Sequence, residues 1–474
     1  MTTSSGLTAI IGGGIAGLSA AWTLQQAGRA CVVLEASDRW GGAIASERVD
    51  GFLLEGGPDS FLAGKPAAVE LCRELGLEGE LIGTEPQPGG PRLLHRGHTR
   101  QLGDALIASG RPFPGSDTRP QPDQREGGSN QRWPCHLQPL PAGWRMLAPT
   151  RLGPVLRSPL FSPAVKAAVI WHWPRTAAPP REDETVAAYL ERRFGRHAGR
   201  AFTQIIVQPL LAGVYGGRAD CLSAVPPSAP GDRPSGAPIF MTLRGGMGTL
   251  VAKLVERLQP CLRAHSCVQA IARNGAGFRL ELEQGDPLDA SSLIVAAPAW
   301  RAATLLRDFD AELAAPLASI PFSSSVNVNL AYRTAPALPP GHGFLAGGDS
   351  DLQACTFAHQ KFSGRAPAGA ALLRLFYGEA LAEAANALIE AHARADVAAI
   401  LGVTQPPDLV RIRACRRALP QYTVGHNERV KRLLAALERY PRLALAGNAY
   451  AGVGVPDCIA SGVAAAARIT SALG

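Results

Sequence analysis

The chain has 474 residues, of which 46% are hydrophobic, and its formal net charge is +8. This hydrophobic fraction excludes a disordered chain, because disordered sequences lack the apolar residues that build a core. The 52 glycines and 39 prolines exceed average usage but follow no regular repeat, which excludes collagen and predicts a fold with many tight turns.

The first predicted elements form a nucleotide-binding unit. A short strand at 7–11 is followed at once by a glycine-rich turn, a helix that ends near Gly28, and a second strand at Cys31–Leu34. The acidic residue Glu35 comes directly after this second strand. Strand, GxGxxG turn, helix, strand and acid, in this order, are typical of a Rossmann dinucleotide site, whereas GxGxxG alone also occurs in turns of unrelated α/β units.

The glycines of the turn have distinct physical roles in such a site. Gly12 permits the tight turn, Gly14 lets the backbone approach a pyrophosphate, and Gly17 allows the helix to pack closely on the strand. The N-terminus of the helix offers free N–H groups and a positive dipole to the phosphates. Glu35 lies where a carboxylate can accept hydrogen bonds from both ribose hydroxyls.

The residues after Glu35 favour FAD over NAD. They follow the pattern ExxxRxGG, which resembles the second fingerprint of FAD oxidoreductases of the amine oxidase and protoporphyrinogen oxidase superfamily. Arg39 can meet phosphate charge, and Gly41 and Gly42 let the chain pass beside an extended cofactor. Another glycine- and proline-containing turn with polar side chains follows at 55–60.

The middle of the chain is predicted to contain helices and two irregular segments. An amphipathic helix is predicted at 66–77, and helices are expected around Val186–Phe194 and Ala198–Leu211. The stretch 151–173 mixes basic, apolar and aromatic residues, so it is either a membrane-interface patch or a packed helical subdomain. Residues 103–139 are interpreted as an irregular insertion, since glycine and proline are frequent there.

The second half of the chain is predicted to complete the nucleotide unit and to add another sheet. Strands are expected at Cys267–Ala272 and Leu293–Ala297. Alternating strands at Val326–Tyr332 and Leu372–Tyr377 predict a second, more antiparallel sheet. The last predicted element is a helix at Asp457–Leu473.

The cysteines and the N-terminus restrict the compartment. The nine cysteines form no CxxC pair, and their odd number in a long chain favours a reducing compartment, so we expect a cytoplasmic protein. No signal peptide is predicted, because no basic stretch precedes the first apolar run. No apolar run reaches about 18 residues, the length of a membrane-spanning helix. The positive charge suits an anionic ligand, a membrane surface or simply a soluble basic surface, and no nucleic-acid partner is predicted.

Several longer strings resemble one family of flavoproteins. The chain contains GGGIAGLSAAW, LEASDRWGG, LEGGPDSFLAGKP, QPLLAGVYGG, LRGGMGTLV, ALPQYTVGHNERV and LAGNAYAGVGVPDCIASG. These strings resemble the oxygen-dependent protoporphyrinogen and coproporphyrinogen oxidases of haem biosynthesis. The last three strings are much more specific than GxGxxG, and the resemblance covers roughly three-quarters of the chain.

The resemblance implies a fold and a division into domains. It implies an α/β protein with a Rossmann-type FAD-binding domain, a second mixed-sheet substrate domain and a helical subdomain. We expect the FAD-binding domain to contain 1–65 with 239–300 and 441–474. The other expected units are the substrate domain (66–102 with 200–238 and 301–440), the helical subdomain (140–199) and the insertion (103–139). If the protein associates with a membrane, we expect the helical subdomain to make that contact.

The resemblance also implies FAD as the cofactor and a set of residues that bind it. The expected FAD-binding residues are Gly12, Gly13, Gly14, Ile15, Ala16, Gly17, Glu35, Ala36, Arg39, Gly42, Ala43, Gly57, Pro58, Asp59, Ser60, Val268, Asn448, Val453, Gly454 and Val455. Within this set, Gly57–Ser60 should lie beside the flavin, Val268 should contact the adenine through its backbone, and Asn448 should lie by the isoalloxazine ring. The dipole of the last helix would stabilise negative charge on the reduced ring.

The implied reaction is oxidation of a porphyrinogen by FAD, with O2 regenerating the flavin and releasing H2O2. Because the cofactor carries the redox step, no catalytic triad or carboxylate pair is expected; catalytic side chains remain unassigned and no metal site is predicted. Lys65 either faces a substrate propionate or is a solvated surface lysine. His426 is interpreted as structural rather than as a proton shuttle.

Some questions stay open at this point. The sequence does not separate protoporphyrinogen IX from coproporphyrinogen III, and it does not indicate an oligomeric state. Relative to the family, the insertion at 103–139 and a shortened loop at 223–238 put substrate choice in question. The alternatives are another flavin amine oxidase or desaturase, and a non-catalytic protein that binds FAD and porphyrin.

Overall fold

The computed structural model describes residues 6–86, 92–94, 137–145, 147–175, 179–181, 184–225, 238–347 and 351–473. A parallel sheet of five strands lies at the centre of the nucleotide-binding unit. In spatial order its strands are Leu262–Arg263, Cys31–Leu34, Thr8–Ile11, Ser292–Val295 and Leu443–Leu445. The predicted strand–turn–helix–strand unit is confirmed, and the α/β fold class with it.

Both faces of the parallel sheet are buried, which explains why its strands are apolar throughout. Along the central strand, Ile10 points into one core, and Ala9 and Ile11 point into the other. The first core is covered by the helices Ile15–Gln26, Ala67–Glu74, Gly248–Leu258 and Val455–Leu473. The second core is covered by the helices Ala299–Leu306, Ala311–Ala318 and His426–Leu437 and by a three-stranded antiparallel sheet of Val268–Asn274, Gly277–Leu282 and Leu288–Ala290.

The second large sheet has seven strands. In spatial order they are Leu409–Pro420, Phe322–Tyr332, Ala371–Tyr377, Leu352–Phe357, Gly343–Ala346, Arg92–Leu94 and Leu137–Pro139. All neighbouring pairs are antiparallel except Gly343–Ala346 with Arg92–Leu94. The helix Asn386–Leu401 packs on this sheet. The predicted antiparallel character is therefore confirmed.

The edge strand of this sheet shows that the predicted end of the insertion, at residue 139, is wrong. Residues 137–139 were expected to belong to the irregular insertion, but they form the edge strand that pairs with Arg92–Leu94. The physical reason is that Leu137 packs against the apolar core of the sheet. The rest of the predicted insertion, 103–136, lies outside the described residues, as does most of the predicted loop at 223–238.

Two smaller sheets bring the site loops together. One is the hairpin Ser46–Val49 with Phe52–Glu55. The other has three strands in the order Phe61–Leu62, Phe240–Leu243 and Leu81–Gly83. We did not predict this hairpin, although the Asp50-Gly51 dipeptide between its strands is typical of a two-residue hairpin turn, and both residues have positive φ.

Residues 152–215 form a helical unit. Its elements are Leu152–Arg157, Pro163–His172, Val186–Phe202, the π-helical turn Thr203–Val207 and Gln208–Tyr215. Phe202 anchors its core, with Phe194 at 5.0 Å and Trp144 and Phe161 at 5.1 Å between ring centroids. The predicted break between two helices is confirmed at Gly195, whose φ of 77° and ψ of 154° are non-helical.

The division into domains stays a prediction. Strands of the parallel sheet do come from the three segments that were assigned to the FAD-binding domain. The helices Ala311–Ala318 and His426–Leu437, however, pack on that sheet although the division places them with the second sheet.

Surface apolar residues occur on the helix Pro163–His172. Ile170 is 53% exposed and Trp171 is 69% exposed. Among the residues that the structure describes, no helix is both long and apolar enough to cross a bilayer. Peripheral membrane contact through this helix remains a prediction, which vesicle co-sedimentation of the wild type and of Trp171→Ser would test.

We expect Gly462→Ala to destabilise the fold. A Cβ atom at Gly462 would lie 2.2 Å from the backbone oxygen of Ala16, so the last helix would have to move away from the first. Overpacking of this kind costs about 1–3 kcal/mol. Gly153→Ala is the matched control, because its Cβ would lie in nearly open space and alanine favours a helix. Thermal unfolding should show a lower midpoint for the first variant only; equal midpoints would contradict this account.

Candidate cofactor site

The start of the first helix is built to receive an anion. Gly14 is its N-cap and provides no side-chain cap, and the first turn contains no acidic residue. The first N–H groups of the helix therefore point to the carboxyl end of the parallel sheet, where they and the helix dipole favour a phosphate. Nearby, Gly41 N donates to Gly13 O at 2.8 Å, which brings the second glycine pair against the turn.

Close backbone contacts hold the site loops together. A Cβ atom at Gly17 would lie 2.0 Å from Gly12 O, so only glycine allows the first helix to approach its strand this closely. A Cβ atom at Gly57 would lie 1.9 Å from Ala43 O, so the 57–60 loop rests directly on the 41–43 loop. The structure thus brings together the three glycine-containing segments that the sequence singled out.

Glu35 links the glycine-rich turn to the segment that follows the second strand. Its Oε2 accepts from Gly13 N at 2.7 Å, and its Oε1 accepts from Ser37 N at 2.9 Å and Ser37 Oγ at 2.8 Å. A carboxylate has about four acceptor positions, so the side chain retains room for a ribose hydroxyl. Ser266 N donates to Glu35 O at 2.8 Å, which brings Val268 to this end of the site.

Arg39 contacts backbone carbonyl groups of a neighbouring loop. Its guanidinium donates to Ile44 O at 2.8 Å and to Gly42 O. Arg413 donates to Gly42 O and Ala43 O, both at 3.1 Å. Two guanidinium groups therefore fix the carbonyl groups of the 42–44 loop, and a phosphate contact by Arg39 stays a prediction.

Asp59 belongs to a buried ion-pair network. It lies 3.0 Å from Lys361 Nζ and 2.9 Å from Arg374 Nη1, and Arg374 Nη2 donates to Gly57 O at 2.7 Å. The sequence analysis did not predict that Lys361 and Arg374 belong to the site. A signal was present, since Arg374 is the one charged residue within the apolar strand Ala371–Tyr377, and charged side chains are rarely fully buried unless paired.

The C-terminal part of the site lies at the same sheet edge. Asn448 follows the strand Leu443–Leu445, donates through Nδ2 to Ala418 O at 3.1 Å, and accepts from Tyr422 Oη through its backbone oxygen. The last helix begins at Val455, two residues before its predicted start, so its N-terminus also faces this edge. Gly447 has a φ of 134° and open space where a Cβ would lie.

Lys65 is largely buried and forms an ion pair, so it is not the solvated surface lysine that the sequence left as one alternative. Its Nζ lies 2.6 Å from Asp457 Oδ1, and the two side chains are 16% and 12% exposed. Asp457 Oδ2 also accepts from Gly454 N at 3.2 Å, so the carboxylate is anchored to the start of the last helix. Contact between Lys65 and a substrate propionate remains a prediction.

An apolar surface borders Lys65. Leu62, Ile239 and Phe240 are 41%, 53% and 38% exposed, although large apolar side chains are usually buried. They are adjacent because Leu62 pairs with Phe240 in the small sheet. Lys65 N donates to Leu62 O at 3.2 Å, which places the lysine at the edge of this surface. We refer to Leu62, Ile239 and Phe240 as the apolar rim.

His426 is buried and uncharged. It is 1% exposed, stacks on Tyr422 with 4.4 Å between ring centroids, and neither ring nitrogen has a hydrogen-bond partner among the described residues. Burial, assisted by the charge of Arg429, lowers the pKa of His426 to about 4. These observations favour the structural interpretation over a proton shuttle.

No metal centre is visible in the described ranges, since no group of three or more His, Cys, Asp or Glu side chains there is arranged to hold a metal ion.

Comparison with known proteins identifies the family. The family model described as flavin-containing amine oxidoreductase matches residues 15–470. The chain belongs to this family. Its cofactor is therefore a flavin, and the Rossmann unit with Glu35 and an uncapped helix N-terminus fits FAD.

The relatives are enzymes of porphyrin metabolism by name. The chain is 30% identical to the coproporphyrinogen III oxidase of Propionibacterium freudenreichii, over 95% of this chain and 88% of the relative. It is 28% identical to the coproporphyrinogen III oxidase of Bacillus subtilis, over 96% of each protein. A crystal structure of a proposed protoporphyrinogen oxidase from Exiguobacterium is 28% identical, with a TM-score of 0.79 over 98% of this chain and 99% of that one.

We expect the stability of this member of the family to fall on acidification partly because of His426. The unfolded histidine has a pKa of about 6.5 and the folded one of about 4, so the unfolded state takes up a proton first as the pH falls through this window. The stability contributed by the neutral ring is fully present above pH 6.5 and is lost toward pH 4. Relative to His426→Gln, the wild type should lose on the order of 2 kcal/mol more between pH 7.5 and 4.5.

Chemical denaturation at several pH values measures this difference. His197→Gln, which removes an exposed histidine, is the control and should follow the wild type. Parallel stability curves for the wild type and His426→Gln would show that the ring is not held neutral.

Proposed function

We propose that this chain oxidises coproporphyrinogen III to coproporphyrin III, using FAD as cofactor and O2 as acceptor, with release of H2O2. The observation that carries the proposal is the match to coproporphyrinogen III oxidases over nearly the full length of both proteins. Protoporphyrinogen IX is the second candidate substrate, favoured by the name of the Exiguobacterium structure.

The geometry supports an assignment of the residues that would hold FAD. Glu35 would accept from the ribose hydroxyls, the N–H groups that follow Gly14 would bind the pyrophosphate, and Gly57–Ser60 with Asn448 would flank the ring. The first and last helices both begin at the carboxyl edge of the parallel sheet, so their dipoles would favour the anionic parts of the cofactor.

When bound, FAD would supply the redox chemistry, namely the uptake of hydride from the porphyrinogen and the transfer of its electrons to O2. The protein therefore has to bind and orient the porphyrinogen rather than activate it. The apolar rim would offer a surface for the macrocycle. Lys65 at its edge pairs with Asp457 at 2.6 Å, and it would offer a cation to a propionate group that shares this ion pair. No buried acid–base pair is required for this role.

The proposed activity is tested with the purified, FAD-loaded protein. Reduced coproporphyrin and reduced protoporphyrin are supplied separately in air, and porphyrin fluorescence and peroxide are recorded. We expect faster oxidation of coproporphyrinogen III. No oxygen-dependent gain of porphyrin fluorescence from either compound would overturn the proposal.

We expect Lys65→Met to raise KM for coproporphyrinogen III about tenfold with a smaller change in kcat. The variant removes the cation, keeps most of the apolar stem and leaves Asp457 without its ion-pair partner. A charge-assisted hydrogen bond to a propionate contributes about 1.5–3 kcal/mol. Lys431→Met, on an exposed helix position, is the control. An unchanged KM for Lys65→Met would exclude the propionate contact.

An amine oxidase activity is the alternative that the family match favours. Peroxide release from primary amines, without oxidation of either porphyrinogen, would support it. A protein that binds porphyrin while its flavin is never reduced by porphyrinogen would instead be a non-catalytic flavoprotein.

A further inference from the structure

A group of five charged residues, three buried and two partly buried, includes Asp59 of the 57–60 loop and lies beneath the rest of that loop. At its centre, Asp59 is within 3.0 Å of both Lys361 and Arg374, and it also accepts from Ser60 Oγ at 2.7 Å. The side chains of Asp59 and Lys361 are 15% exposed and that of Arg374 is 1% exposed. Burial alone would raise the pKa of Asp59, but the charges of Lys361 and Arg374 outweigh it and hold that pKa well below its usual range.

Glu55 and Arg365 complete this group, which we call the buried charge cluster. Arg365 is 2% exposed, and its acceptors among the described residues are neutral, including Thr242 Oγ1 at 2.9 Å and Leu243 O at 3.1 Å. Glu55 is 1% exposed and accepts from Ser46 Oγ at 2.6 Å and from Met247 N at 2.9 Å. The cluster therefore contains three cations and two carboxylates.

The cluster carries more positive than negative charge. With both carboxylates ionised, one cation is in excess, and because burial raises the pKa of Glu55 the excess grows if that group is protonated. Buried charge without compensation is costly, so natural proteins pair it or direct it at a ligand. Arg374 Nε is also buried and has no hydrogen-bond partner among the described residues.

The cluster acts on the loop that is expected to lie beside the flavin. Arg374 Nη2 donates to Gly57 O at 2.7 Å, and Lys361 Nζ donates to Asp59 Oδ1 at 3.1 Å and to Ser60 Oγ at 3.3 Å. Both cations thus hold the loop from its buried side. A hydride brings one proton and two electrons, so an oxidised flavin that accepts it gains one negative charge, and nearby positive charge stabilises that form.

We propose that the net positive charge of the buried charge cluster raises the reduction potential of the bound flavin, with Lys361 and Arg374 as the residues that set it. This role rests on the proposed position of FAD, and it does not depend on the identity of the substrate. It makes Lys361 and Arg374 positioning and tuning residues rather than groups that touch the porphyrinogen.

The test changes the net charge of the cluster in both directions. Lys361→Met removes one positive charge, Asp59→Asn removes one negative charge, and the double variant restores the original balance. The reduction potential of each FAD-loaded protein is measured anaerobically against a reference dye. We expect a lower potential for Lys361→Met, a higher one for Asp59→Asn, and a potential near that of the wild type for the double variant.

Sulfite affinity gives a second measurement without substrate, because sulfite adds to the flavin and leaves it negatively charged. Lys361→Met should bind sulfite at least about fivefold more weakly than the wild type, as expected for the loss of one nearby charge. Lys253→Met, which removes a surface lysine paired with Glu256, is the control. Circular dichroism and flavin content verify that each variant is folded and loaded.

Two outcomes would overturn the proposal. One is an unchanged potential and sulfite affinity in folded, flavin-loaded Lys361→Met. The other is a double variant that shifts in the same direction and to the same extent as Lys361→Met, because the effect would then follow from local structure rather than from charge. Neither measurement uses a porphyrinogen, so failure of the proposed oxidase activity would leave this test intact.

Discussion

The contact between the first and the last helix is the constraint on which the site depends. Gly462 lets the last helix rest on the backbone of Ala16, and the two helices cover the same face of the parallel sheet. Because both helices start at the carboxyl edge of that sheet, close packing brings two positive helix ends to one place. Residues more than 400 positions apart in the chain thereby come to border one cofactor site.

Around this frame the molecule uses charge in two ways. Arg39 and Arg413 donate hydrogen bonds to carbonyl groups of the 42–44 loop. These two cations therefore fix the backbone of the loop, and their partners are neutral carbonyl groups rather than carboxylates. Beneath the 57–60 loop, cations outnumber carboxylates, so the protein carries a net positive charge there. The apolar rim adds a surface of a different kind, because exposed side chains at Leu62 and Phe240 suit a large, mainly apolar substrate.

Sequence patterns were informative where a local rule applies. The Rossmann turn, an antiparallel strand at Val326–Tyr332 and two helices separated after Phe194 depend on neighbouring residues, and each was predicted. In the structure the strand extends over Phe322–Tyr332 and the helices separate at Gly195. The hairpin at 46–55 was not predicted, although its Asp50-Gly51 turn is a local signal. Residues 137–139 were assigned wrongly, because a short edge strand is defined by its pairing partner. The pairing of Lys65 with Asp457 could not be predicted either, since it joins residues 392 positions apart.

The sequence by itself determined the fold class and the flavin cofactor, because glycine spacing, apolar periodicity, the position of Glu35 and the ExxxRxGG pattern after it are local features of the sequence. Only the tertiary structure decided how the charged side chains are used. It placed Asp59 between Lys361 and Arg374 and made His426 a buried, neutral ring. The reason is that the partner and the burial of a charged group depend on distant segments, which spacing along one chain does not encode.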